Sequence, residues 1–129
     1  MVSGCGLPKR YCAELLERAG IDPETINSER ARVSPTQLSL LNKWITDATG
    51  DEGMGHYRQP QKPGTFHALA HYQQTAVDLE QAIERNVRFY NLFDFGFSLA
   101  LIRSGDYISY RLQADLGLTL TDWVYEQHL

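Results

Sequence analysis

Residues 78–112 read DLEQAIERNVRFYNLFDFGFSLALIRSGDYISYRL, and a change of period inside this stretch decides the fold. Leu79, Ala82, Ile83, Asn86, Val87 and Tyr90 recur at i, i+3, i+4, i+7, i+8 and i+11, one stripe of a 3.6-residue period. Glu80, Gln81, Glu84, Arg85 and Arg88 fill the other side, with Glu84 four residues ahead of Arg88. The spacing predicts a helix over 78–93, capped by Asp78, whose stripe is core. From Phe95 the pattern becomes alternation, with Phe95, Phe97, Leu99 and Leu101 set against Gly96, Ser98, Ala100 and Ile102. A two-residue Ser104-Gly105 connection then predicts a hairpin at about 95–112. A helix feeding a hairpin, both with an apolar face to cover, implies an α+β domain. Its helical N-terminal half packs on a small antiparallel sheet.

That helical half is legible from its ends. Residues 1–7 lack periodicity and read as a loose tail. Pro8 suits a first helical position, Tyr11, Cys12, Leu15, Leu16 and Ala19 form a stripe, and Gly20 stops the helix. Ile21 is then placed to make the apolar contact of a Schellman ending. A short helical turn fits residues 23–26. Ser34, Pro35 and Gln37 spell a capping box with proline at its favoured place, and Leu38, Leu41, Ile45 and Ala48 continue one face up to Gly50. Residues 51–64 are rich in glycine and proline and read as a long surface loop, of a length often given to function. A short helix over 65–74 carries Phe66, Leu69, Ala70 and Tyr72. A last helix opens after Gly117, with Thr119 and Asp122 at capping-box spacing. No stop signal follows it, which reads as a truncated chain.

The bulk numbers narrow the function. At 129 residues the chain makes one domain with a core of its own. A formal net charge of −4 leaves no basic excess to displace counterions, which argues against unaided DNA binding. Cys5 and Cys12 are too few for a disulfide framework and suit a reducing cytoplasm. Val2-Ser3-Gly4-Cys5 resembles a lipoprotein cleavage box but lacks the basic and apolar segments that such a signal needs. No apolar run approaches the ~18 residues of a membrane span.

Reactive constellations are scarce. His67 and His71 share one helix face, a spacing zinc uses, but Ala68 stands where a metalloprotease needs glutamate and a third ligand is not evident. The pair reads first as structural, then as a polar contact for a small ligand, and last as a metal or haem site. There is no nucleophile elbow, and the glycine pairs Gly4/Gly6 and Gly53/Gly55 lack the context of a phosphate loop. An enzyme is not expected, nor a cofactor. Phe89, Tyr90, Phe93, Phe95 and Phe97 crowd the helix-to-strand corner. They read chiefly as core, or as the wall of a cavity lidded by the 51–64 loop.

A family resemblance rests on the order of several motifs. Leu15-Leu16-Glu17-Arg18-Ala19-Gly20-Ile21-Asp22 is followed by Thr49-Gly50-Asp51, Gly53-Met54-Gly55 and Pro63-Gly64-Thr65-Phe66. Asp78-Leu79-Glu80-Gln81-Ala82-Ile83 and Arg88-Phe89-Tyr90 come after them. The series, over residues 15–112, resembles the N-terminal effector-sensing, arabinose-binding-like domain of AraC-type transcriptional regulators. Where that family favours small residues after the Phe66 position, this chain has His67, His71 and Tyr72. The resemblance implies a small-molecule effector, a homodimer, and DNA contact only through a C-terminal helix-turn-helix domain absent here. The alternative is a dimerisation module without a ligand. The clustering of rings beside two polar groups makes His67, His71, Tyr72, Phe89, Tyr90, Phe93 and Phe97 the candidate ligand contacts.

Overall fold

The computed structural model describes residues 5–28, 30–117 and 119–128. Of the expected loose tail at residues 1–7, residues 1–4 lie outside them, as does the missing stop signal at Leu129, but Cys5 is buried and Leu7 packs against the core, so that part of the segment is not loose. Helix α1, Lys9–Arg18, ends in a Schellman pair: Gly20 N–H donates to Glu17 O and Ile21 N–H to Leu16 O, both at 2.9 Å. Gly20 takes φ +73°, which a side chain would disfavour, and Ile21 is buried with Leu16. Pro8 sits one place earlier than expected, as the N-cap rather than the first helical residue. A 3-10 turn, Pro23–Asn27, is capped by the Asp22 carboxylate on Glu24 N–H. Helix α2, Pro35–Thr49, opens with the full reciprocal capping box between Ser34 and Gln37 and closes on left-handed Gly50. Between α1 and α2 lies the first core, built on Leu15, Leu16, Ile21, Leu41, Ile45 and Met54. Cys5 and Cys12 meet at its edge, with their Sγ atoms 4.0 Å apart.

The second half carries α3, Thr65–Gln74, and α4, Leu79–Tyr90, then β1, Phe97–Ser104, β2, Tyr107–Ala114, and α5, Asp122–His128. Asp78 caps α4 through Gln81 N–H as expected. The helix stops three residues short of 93 because the Asn91 side chain is taken by the sheet. Its Nδ2 donates to Leu99 O and its Oδ1 accepts from Leu99 N–H, so it stands in for a neighbouring strand. Strands β1 and β2 pair antiparallel with Phe97 opposite Ala114 and Ser104 opposite Tyr107. The two-residue loop is therefore Gly105-Asp106, one residue later than Ser104-Gly105, and Gly105 supplies the positive φ of +58°. Phe95 precedes the strand, its carbonyl accepting from Arg58 N–H. The second core gathers Leu69, Tyr90, Phe95, Phe97, Leu99 and Val124, and Trp123 packs on both cores.

Three further expectations need correction. The α4 stripe is not wholly core: Leu79 is 75 % exposed, Ala82, Ile83 and Val87 are half-buried, and Tyr90 alone is buried. Segment 51–64 is no surface loop throughout, since Asp51, Gly53, Met54 and Gln61 are buried. Asp51 Oδ1 accepts from Gly53 N–H and Gln61 N–H at 2.7 Å each, and Oδ2 from Gly55 N–H at 2.8 Å. A Cβ at Gly53 would collide with the Tyr57 ring, so the turn demands glycine. Glu52 accepts from Gly64 N–H and Phe66 N–H, the donors that open α3. Finally, Thr121 rather than Thr119 immediately precedes α5, and its hydroxyl meets His56 Nδ1 at 3.0 Å.

Candidate ligand groove

Because the α4 stripe is only half covered, it forms one wall of an open groove of about 370 Å³. Leu79, Ala82, Ile83, Asn86 and Tyr90 face Phe66, Leu69 and Gln73 of α3, and Tyr110, Gln127 and His128 close the end. The two helices are laced at their edges. Gln73 Nε2 donates to Ala82 O, and Arg85 donates from α4 to Tyr72 O and Thr75 Oγ1. Strand β1 is tied to the outside of α4 by Arg103, which pairs with both Glu80 and Glu84. The apolar side chains Phe66 and Leu79 are 65 % and 75 % exposed and form the rim.

The floor is polar and neutral. Tyr90 meets the His128 ring edge-on at 4.5 Å, and His128 Nε2 lies 3.2 Å from the Tyr57 hydroxyl. Burial pushes the His128 pKa down to about 4 and raises that of the Tyr57 hydroxyl, so both are uncharged at neutral pH. Burial, then the charge of Glu52, raises the Tyr90 pKa, against the hydrogen bond from Gln61. Tyr110, pushed up to about 12 by burial and by Tyr90, donates its hydroxyl proton to Asn86 Oδ1 at 3.0 Å. Asn86 Nδ2 keeps no protein partner among the described residues.

His128 makes stability pH-dependent. The unfolded ring takes its proton near 6.5 but the folded one only near 4, so its contribution is whole above 6.5 and is lost as pH falls toward 4. The loss should reach about 3 kcal/mol. Urea titrations across that window should show it, and His128→Gln should flatten the difference. An unchanged slope in the variant would contradict the buried neutral ring.

The seven candidate contacts separate. Tyr90 lines the groove. His67 and His71 touch each other, Nε2 to Nε2 at 3.0 Å, on the exposed face of α3. Among the described residues no group of three metal-ligating side chains forms. Tyr72 lies under the Arg85 guanidinium at 5.2 Å. Phe89 packs on Phe93, Phe93 stacks on Phe95 at 5.0 Å, and Phe97 is buried against His128. The rings at the corner fill space with one another. Phe66, Leu69, Asn86, Tyr110 and His128 were missed as a set because they come from four distant elements. A larger hollow of about 500 Å³ lies beside α1, between Leu7, Lys9, Cys12, Leu16, Ile26 and Asn27, and brings together fewer polar side chains than the groove. The groove is the better site on that ground.

The fold is an α+β domain whose α4 packs on β1 and shares an amphipathic groove with α3. Residues 11–125 match the family model described as the arabinose-binding domain of AraC transcription regulator, N-term, and the chain belongs to that family. It is thus of the class of effector-sensing regulatory domains of transcription factors. The match takes in the second core, the first core apart from Cys5 and Leu7, and every wall of the groove except Gln127 and His128. No curated protein and no solved structure matches the chain. Among the described residues no helix is long and apolar enough to cross a membrane.

Proposed function

We propose that the domain binds a small-molecule effector in the α3–α4 groove and so controls DNA binding by a helix-turn-helix domain elsewhere in the regulator. The supporting observation is an apolar cleft of about 370 Å³ with Asn86, Tyr110 and Gln127 converging at one end. An effector acts only if it binds two conformations or assemblies unequally. Wedging α3 from α4 supplies that difference, because α4 carries Asn91, which holds β1, and the carboxylates that hold Arg103. Tyr90 is the ligand contact kept from the sequence reading. Of the other candidate contacts, Phe89 and Phe97 pack on Tyr90, while His67, His71, Tyr72 and Phe93 lie outside the walls of the groove. The domain would act as a cytoplasmic, non-catalytic homodimer.

The neutral fluorophore N-phenyl-1-naphthylamine tests the site. It should brighten with the wild-type domain and not with Ile83→Trp, whose indole fills the cleft. Equal brightening in a folded variant would move the site elsewhere. A dimerisation module without a ligand is the second reading, favoured by the exposed β2 edge with Tyr107 at 79 % and Ile108 at 45 % exposure. Dimers by light scattering, with no probe binding at all, would support it instead.

A further inference from the structure

Resting on that reading of the site, we infer that the groove takes an uncharged amphiphile. Its apolar body would lie on Leu69, Leu79 and Ile83, and its single hydroxyl or amide head would meet Asn86 and Gln127. A carboxylate or a free sugar would be rejected.

Charge decides against the carboxylate. Among the described residues no Lys, Arg, Asp or Glu lines the groove, and an ionised group brought there would lose water without gaining a counter-charge. Of the nearby cations, Arg103 is neutralised by Glu80 and Glu84, and Arg85 commits its guanidinium donors to the uncharged acceptors Tyr72 O, Thr75 Oγ1 and Gln81 Oε1. Glu52 lies close enough to Tyr90 to raise the pKa of its hydroxyl, and it repels anions.

Hydrogen-bonding capacity decides against the sugar. A free sugar carries hydroxyls on every side, and each one buried without a partner is costly. Phe66, Leu69, Leu79, Ala82 and Ile83 offer none. Gln73 also lines the cleft but spends its Nε2 on Ala82 O, and the remaining polar side chains are Asn86, Tyr90, Tyr110, Gln127 and His128. Asn86 Nδ2 and the Gln127 amide have no protein partner among the described residues, and the Tyr110 hydroxyl already donates to Asn86. From Leu79 to Asn86 the helix rises about 10 Å, enough for a medium-length chain with its head at the Asn86 end.

Calorimetry with 1-octanol, octanoate and L-arabinose at neutral pH tests this on the wild-type domain, Ile83→Trp and Gln127→Lys. Octanol should bind roughly tenfold or more tighter than octanoate, arabinose should not bind, and Ile83→Trp should lose octanol. Gln127→Lys, on an exposed position of α5, should bring octanoate up to octanol or beyond. Octanoate or arabinose binding as tightly as octanol to the wild type, with the binding lost in Ile83→Trp, would overturn the ligand class and leave the site standing. If none of the three binds, both fall.

Discussion

Replacing Asp51 with alanine should lower stability by about 3–5 kcal/mol, read as a shift of the urea midpoint with an unchanged slope. The carboxylate holds three backbone donors, and two of them, Gly53 N–H and Gln61 N–H, belong to buried residues where water cannot take its place. An orphaned buried donor costs about 1–3 kcal/mol, and hydrogen bonds to a charged acceptor stand at the upper end. Gly55 is exposed and should contribute less. Asp51→Asn keeps the shape and one acceptor oxygen, so its loss should be about half as large. The consequence reaches the groove. Asp51 sets the turn that places Tyr57 behind His128 and Gln61 beside Tyr90, so the alanine variant should also lose probe binding. A cost below about 1 kcal/mol would mean that water enters the turn and satisfies its donors.

What the sequence made legible was local. The α2 capping box and the glycine endings of α1 and α2 involve residues at most five apart, so the spacing of types is enough to specify them. The hairpin was legible as a hairpin, yet its loop was misplaced by one residue. Both Ser104-Gly105 and Gly105-Asp106 satisfy turn chemistry, and the pairing of Phe97 with Ala114 decides between them. The end of α4 was illegible because Asn91 is claimed by Leu99, a contact that helix periodicity does not encode. Segment 51–64 has the composition of a lid and the hydrogen bonding of a core turn, since one carboxylate reaches ten residues ahead to Gln61. Family membership was legible from the order of motifs. The groove was not, because a half-exposed stripe and a buried one have the same period.

Phe95→Ala should cost about 3–5 kcal/mol, as large an effect as a core deletion normally gives. The ring is 2 % exposed and touches Tyr57, Phe93, Tyr90 and Phe97, with centroids from 4.8 to 6.3 Å away. Removing it leaves a cavity that rings fixed at both sides cannot collapse to fill. Phe93→Ala, 39 % exposed on one flank of that stack, should cost only about 1 kcal/mol. Phe66→Ala, 65 % exposed at the groove rim, should cost less still while weakening the fluorophore. The three phenylalanines thus separate two meanings of an aromatic cluster. If the corner were the pocket, Phe93→Ala would keep its stability and lose the probe while Phe66→Ala kept both. If the rings are core and the effector lies between α3 and α4, the losses fall the other way: stability at Phe95, binding at Phe66, and little of either at Phe93.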